Sequence, residues 1–232
     1  MKQLSKRQLI ILGGILAAVV LFFSLLSGGN SVTSGSTYVR TPDGYGAWFQ
    51  YMEQRGHRID RWRKASDKLF GQGGEGETLL RVESRLVRGY AWEGGLMNEP
   101  LKKWVERGNT VVVLGVQEDV SAAPFQSKVS HGVGEVAIAT RRRYGRQVKS
   151  PLLEDRFGAV VWSRGVGKGQ VVLATTPYLA ANAYQDGAGN FKFLEKVITD
   201  LQPGGRIWVD EYLHGFRDDS ERGKGRSRGF GG

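Results

Sequence analysis

The stretch Glu99–Leu114 constrains the fold most tightly. EPLKKWVER sets Leu101, Trp104 and Val105 along one side of a helix over Glu99–Arg107, with Gly108 as its stop. TVVVL follows at once (Thr110–Leu114), a β-branched run with no polar alternation. A strand that is apolar at nearly every position needs cover on both faces, which is the situation of a strand inside an α/β sandwich. The same alternation continues along the chain. Thr41-Pro42-Asp43-Gly44 makes a turn, and Tyr45, Trp48, Phe49 and Met52 recur at helical spacing up to Gly56. Leu79–Val82 reads as a short strand. Ala159–Ser163 and Gln170–Thr175 read as two strands joined by the hairpin-type turn Arg164–Gly169. Phe191, Leu194, Val197, Ile198 and Leu201 predict a helix over Asn190–Leu201, broken at Pro203-Gly204-Gly205 before a final strand, Arg206–Glu211. Gly115–Arg156 reads as irregular. Helix and strand in alternation predict an α/β layered fold.

A second feature fixes the address. Leu9–Leu26 (LIILGGILAAVVLFFSLL) is eighteen residues without a charge, behind a head carrying Lys2, Lys6 and Arg7. As a helix it would reach about 27 Å, close to the ~30 Å hydrocarbon core of a bilayer. No Lys or Arg follows until Arg40, so the positive-inside bias predicts a cytoplasmic N-terminus and a domain on the extracytoplasmic side. The rival reading is a secretory signal cleaved after Gly29, with Ser27 and Gly29 as the small-x-small site. The expected organisation is a basic head over 1–8, a transmembrane helix over 9–26 and a flexible Gly/Ser/Thr linker over 27–37. An α/β domain over 38–216 and a disordered basic, Gly-rich tail over 217–232 complete it.

Charge and cysteine content narrow the function classes. Of the net charge of +10, the head supplies three, which leaves +7 for the remainder. Such a surface favours anionic lipid headgroups, acidic polymers or an acidic protein. The export reading argues against nucleic acid and for a bilayer plus a protein partner in the envelope. With no cysteine, disulfides, zinc-thiolate sites and a Cys nucleophile are excluded. No cofactor or resident metal is expected.

Two motif-like strings fail on physics. Gly165-Val-Gly-Lys168 lacks the Ser or Thr of a phosphate loop and leads into the strand QVVLAT rather than a helix. Gly225-Arg-Ser227-Arg-Gly229 matches the nucleophile elbow but lies in the basic tail, without the strand and helix that hold such a Ser on a sharp turn. The strongest constellation is Asp210-Glu211-x-x-His214, at the carboxyl end of the last strand, where open α/β sheets gather ligands. Thr176 and Asn182 follow another strand and could line the same end. These five are the candidate ligand- or partner-binding residues. An ion pair and a cap that lock the last strand are the competing explanation, and a hydrolase or metal-dependent enzyme built on Asp210, Glu211 and His214 is the functional alternative. Arg141, Arg142 and Arg143 are candidates for an anionic-surface contact, against the plainer reading of a solvated charge run. His57 and His131 read as surface residues.

Four ordered segments, STYVRTPDGYGAWFQYMEQRG, WVERGNTVVVLG, RFGAVVWSRGVGKGQVVLATTPYLAANAY and RIWVDEYLHGF, resemble a bacterial family numbered 4350 among the domains of unknown function. The resemblance runs from about Ser36 to Phe216. It implies an N-terminal anchor and a three-layer α/β sandwich of the class I glutamine amidotransferase, flavodoxin-like type. True amidotransferases use a Cys at a strand-to-helix elbow with His and Glu, and a chain with no Cys cannot follow that route. The implied role is therefore binding or scaffolding in an envelope process rather than catalysis. The resemblance also implies a second membrane segment after the EYLHGF-like motif, and no second apolar run follows Phe216 here.

Overall fold

The computed structural model describes residues 33–72, 74–88, 97–187 and 189–218, all within the unit Val32–Gly232. Its elements in chain order are α1 (Gly46–Gln54), β1 (Ile59–Trp62), α2 (Ser66–Gln72), β2 (Thr78–Arg88) and α3 (Glu99–Glu106). β3 (Thr110–Gln117), β4 (Gln126–His131), β5 (Gly134–Ala139), β6 (Pro151–Asp155) and β7 (Gly158–Val166) follow. β8 (Gly169–Ala174), a single 3-10 turn (Asn182–Tyr184), α4 (Asn190–Leu201) and β9 (Ile207–Asp210) complete the series.

The main sheet has the order β1-β9-β2-β3-β8-β7-β6. The first five strands run parallel; β7 and β6 extend it antiparallel at one edge. TVVVL sits near its centre, between β2 and β8, and alternation divides its side chains between two cores. Val112 and Leu114 join Leu80, Val82, Trp48, Met52, Phe193 and Leu194 on the face covered by α1 and α4. Val111 and Val113 join Leu79, Leu69, Phe70, Leu101 and Trp104 on the face covered by α2 and α3. A helix layer on each side of a mostly parallel sheet is a three-layer α/β arrangement. At about 25 cal/mol per Å² of apolar burial, this doubly covered sheet is the main source of stability.

The stretch Gly115–Arg156, read from sequence as irregular, holds three strands. β4 and β5 form a separate antiparallel ribbon. Val129, Val136 and Ile138 pack from it onto the α4 face, and the Asn190 side chain bonds both the N–H and the C=O of Ala137. Among the described residues no helix is long and apolar enough to cross a membrane, and the expected span Leu9–Leu26 lies outside them.

Candidate active-edge cleft

All five parallel strands end on the same side, and the constellation at Asp210 lies there. The structure divides that constellation in two. Asp210 is 1% exposed and points to the α2–α3 face. Its Oδ2 accepts from Ser66 Oγ at 3.0 Å and lies 3.5 Å from Arg81 Nε, while its Oδ1 accepts from the Leu213 N–H. The same guanidinium reaches Glu83 Oε1 at 3.3 Å. Arg81 and Glu83 are two apart on β2, so both stand on one face of the sheet.

Glu83 owes its position to an irregularity in β2. The pairing of β2 with β3 slips between Val82 and Val87, so four residues of β2 bulge opposite Gly115 alone. Gly115 has φ +102, and a Cβ there would stand 2.3 Å from the Glu83 carbonyl oxygen. Only glycine admits that approach. Burial pushes the Glu83 carboxyl above its ordinary value, and the Asp210 charge adds to the rise against the opposing pull of Arg81. One guanidinium thus serves two carboxylates, and Arg81 and Asp210 line a cleft of about 490 Å³ together with Ser66, Asp67, Phe70, Asn98 and Arg217.

Glu211 turns away from this cleft. It is fully buried, and its carboxylate accepts from Ser36 Oγ at 2.6 Å, from the Thr37 N–H at 2.7 Å and from the Thr37 hydroxyl. Arg61 adds a bond from Nε to Thr37 Oγ1 at 2.7 Å and lies over the rings of Phe49 and Tyr38. The carboxylate is therefore the fastening for the first described turn of the chain. His214 is buried beside it, and a Cβ on Gly35 would stand 3.1 Å from its Cε1.

The other sequence candidates are tied into the fold. Asn182 receives the Ala47 N–H and donates to the carbonyls of Val39 and Thr41, which holds the loop before α1. Thr176 is 2% exposed and caps its own turn through the Tyr178 N–H. The run Arg141–Arg143 does not form one surface patch. Arg141 bonds the Ala123 carbonyl and Arg142 the Glu118 carbonyl. The Arg143 side chain is 0% exposed and pairs with Asp155 at 2.8 Å while donating to Thr140 O, Arg142 O and Ser127 Oγ. His57, read as a surface residue, is bonded to Glu195 at 2.7 Å, and His131 packs edge-on against Phe193. Among the described residues no three His, Asp or Glu side chains converge as a metal site requires.

A family model for a domain of unknown function, DUF4350, matches residues 37–198. The chain belongs to the DUF4350 family. Arg81 and Glu83 of this DUF4350 domain lie inside the matched residues; Asp210, Glu211 and His214 lie beyond them. No curated protein matches the chain. Among solved structures, the exo-beta-1,4-mannosidase Op5Man5 from Opitutaceae bacterium strain TAV5 is similar at 12% identity with a TM-score of 0.29. The similarity covers 54% of this chain and 23% of that one, so the chain spans less than a quarter of that enzyme's length.

Sequence reasoning missed Arg81, Glu83 and Ser66. A signal for the first two existed in LLRVES, where charged residues interrupt an apolar strand at alternate positions. Ser66 gave none, because its α2 has only seven residues.

Proposed function

We propose that this chain is a single-pass membrane protein that presents a non-catalytic, amidotransferase-like domain outside the cytoplasm, and that the cleft over Arg81 and Asp210 binds its ligand or partner in an envelope process. The observation that carries the reading is the cluster itself. Three charged side chains are spent at the carboxyl edge of a parallel sheet, at a cost in desolvation that packing does not require. With no cysteine, the edge cannot use a Cys nucleophile of the amidotransferase kind, which supports a binding role. Arg81 and Arg217 face Asp67 and Asp210 across the cleft lining, so its walls offer both charges to a polar ligand or partner. The uncharged run Leu9–Leu26 supports the membrane tether.

A photo-crosslinking residue at Asp67, which lines the cleft, tests the reading in native membranes against one at Lys196 on α4. The expected result is a discrete adduct from position 67 alone, lost when Arg81→Met is added. Identical adducts from both positions, or indifference to Arg81→Met, would sink the assignment. Carbonate extraction tests the tether: release of the intact chain from membranes would refute it.

A further inference from the structure

The dipeptide Asp-Gly occurs twice in the chain, at Asp43-Gly44 and at Asp186-Gly187. In such a pair the glycine nitrogen can close on the preceding side-chain carboxyl, because no Cβ obstructs the approach. The fold treats the two copies differently.

At Asp43-Gly44 the groups that would react are engaged. Gly44 is buried, and its N–H donates to the Thr41 carbonyl at 2.9 Å. A Cβ on Gly44 would stand 2.4 Å from the Val39 carbonyl oxygen, so a ring has no room to form there. Hydrogen bonds from Thr41 and Ser34 hold the Asp43 carboxyl below its ordinary value despite its partial burial, which keeps it an ionised and poor electrophile. The main chain is pinned as well: the Asp43 carbonyl accepts the Gly35 N–H at 2.9 Å, and the Gly44 carbonyl accepts the Asn182 N–H at 2.8 Å.

At Asp186-Gly187 these restraints are missing. Both residues are exposed, in the turn between the 3-10 turn and α4. A Cβ on Gly187 would meet nothing within 4 Å. Among the described residues neither the Asp186 carboxylate nor the Gly187 N–H has a hydrogen-bond partner. The pinned points lie on either side, where the Gln185 N–H donates to the Asn182 carbonyl and the Gly189 N–H to the Glu135 carbonyl.

We propose that Asp186-Gly187 is a site of spontaneous covalent modification, where the Gly187 nitrogen closes on Asp186 Cγ to a succinimide that reopens as isoaspartate. The N–Cγ bond forms as the bond from Cγ to its hydroxyl breaks, and that hydroxyl leaves with the amide proton as water. Water then adds back to the ring. Opening of the N–Cγ bond restores aspartate, whereas opening of the bond to the main-chain carbonyl leaves the chain running through Cγ. No atom is oxidised or reduced, and water is the co-reactant. The isomerised chain carries an extra main-chain carbon just ahead of Gly189 and Asn190, which hold the β4–β5 ribbon.

Storage of the purified full chain, folded and in neutral buffer, tests this. Tryptic peptides are labelled by an isoaspartyl methyltransferase and the labelled positions are read by mass spectrometry. Isoaspartate at position 186 should exceed that at position 43 by about tenfold or more, since several hydrogen bonds must open before the latter can react. In chain stored in guanidinium the ratio should fall toward unity, because unfolding frees both pairs. Asp186→Glu, which would have to close a larger ring, should abolish the label there at an unchanged melting temperature. No isoaspartate at 186 in the folded chain, equal label at the two positions, or a ratio indifferent to unfolding would overturn the proposal.

Discussion

Replacing Glu211 with Ala removes both carboxylate oxygens and deprives three donors of their acceptor at once. Ser36, Thr37 and Glu211 are 0%, 3% and 0% exposed, so water cannot take the lost place without the turn opening. Hydrogen bonds to a charged group are each worth about 1.5–3 kcal/mol, and a buried donor left unmet costs about 1–3 kcal/mol. The two Thr37 donors share Oε1, so their contributions are not additive. The Thr37 hydroxyl also keeps its bond from Arg61. The net expectation for Glu211→Ala is about 4 kcal/mol. In a domain of this size that lowers the melting temperature by about 8–16 °C. Glu211→Gln retains one carbonyl oxygen and should cost about half as much. Guanidinium unfolding followed by tryptophan fluorescence measures the free energy, and the rate of trypsin cleavage after Arg40, compared with that of the unsubstituted chain, reports whether the turn has detached. A loss under about 1 kcal/mol for Glu211→Ala, with cleavage after Arg40 no faster than in the unsubstituted chain, would refute the claim that this carboxylate fastens the entering chain.

Acid stability depends on Glu195. Burial would raise its carboxyl, but hydrogen bonds from Tyr51, Arg55 and His57 hold it below its ordinary value of 4.5. A carboxyl lowered by folding stabilises above its unfolded value, so this contribution should disappear as pH falls below about 4.5, and Glu195→Gln should flatten the melting-temperature profile there. Glu83 carries the opposite sign: its raised carboxyl makes ionisation costly in the folded state, so Glu83→Gln should raise the melting temperature at pH 7, with the gain shrinking toward pH 4.5. Two glycines four residues apart form an internal control. A Cβ at Gly169 would lie 2.2 Å from the backbone oxygens of Asn109 and Val105, whereas a Cβ at Gly165 would meet nothing within 4 Å. Gly169→Ala should therefore cost about 3 kcal/mol or more, and Gly165→Ala should be near neutral, by the same unfolding measurement.

Elements with strong period or continuous apolar burial were legible in the sequence. The predicted helix Asn190–Leu201 has those bounds in the structure, and TVVVL lies inside β3 as anticipated. What escaped was short or half-polar. β1 is IDRW, a four-residue edge strand whose central Asp60 and Arg61 hide its burial pattern. β4 buries only Val129, so QSKVSH carries almost no alternation signal. At the edge of the sheet, sequence proximity misled. Asp210 and Glu211 are neighbours, yet a strand end sends consecutive side chains to opposite faces, one to the cleft and one to the Ser36–Thr37 turn. The partners that give Asp210 its setting, Ser66 and Arg81, are more than a hundred residues away along the chain. No local pattern could have joined them.

The Glu211 fastening also has a mechanical meaning. Glu211 follows β9 directly, and β9 lies between β1 and β2 with parallel ladders on both sides. A pull applied to the chain before Ser36 is therefore not borne by the loop into α1 alone, which meets the entry turn through the Gly35 and Tyr45 amides. Part of it is handed through two side-chain hydroxyls and one amide to the tip of an interior strand. Force along that strand strains its flanking ladders in shear, so many hydrogen bonds must yield together rather than one at a time. A domain fastened this way can be tugged at its entry point while the cleft beside it keeps its shape.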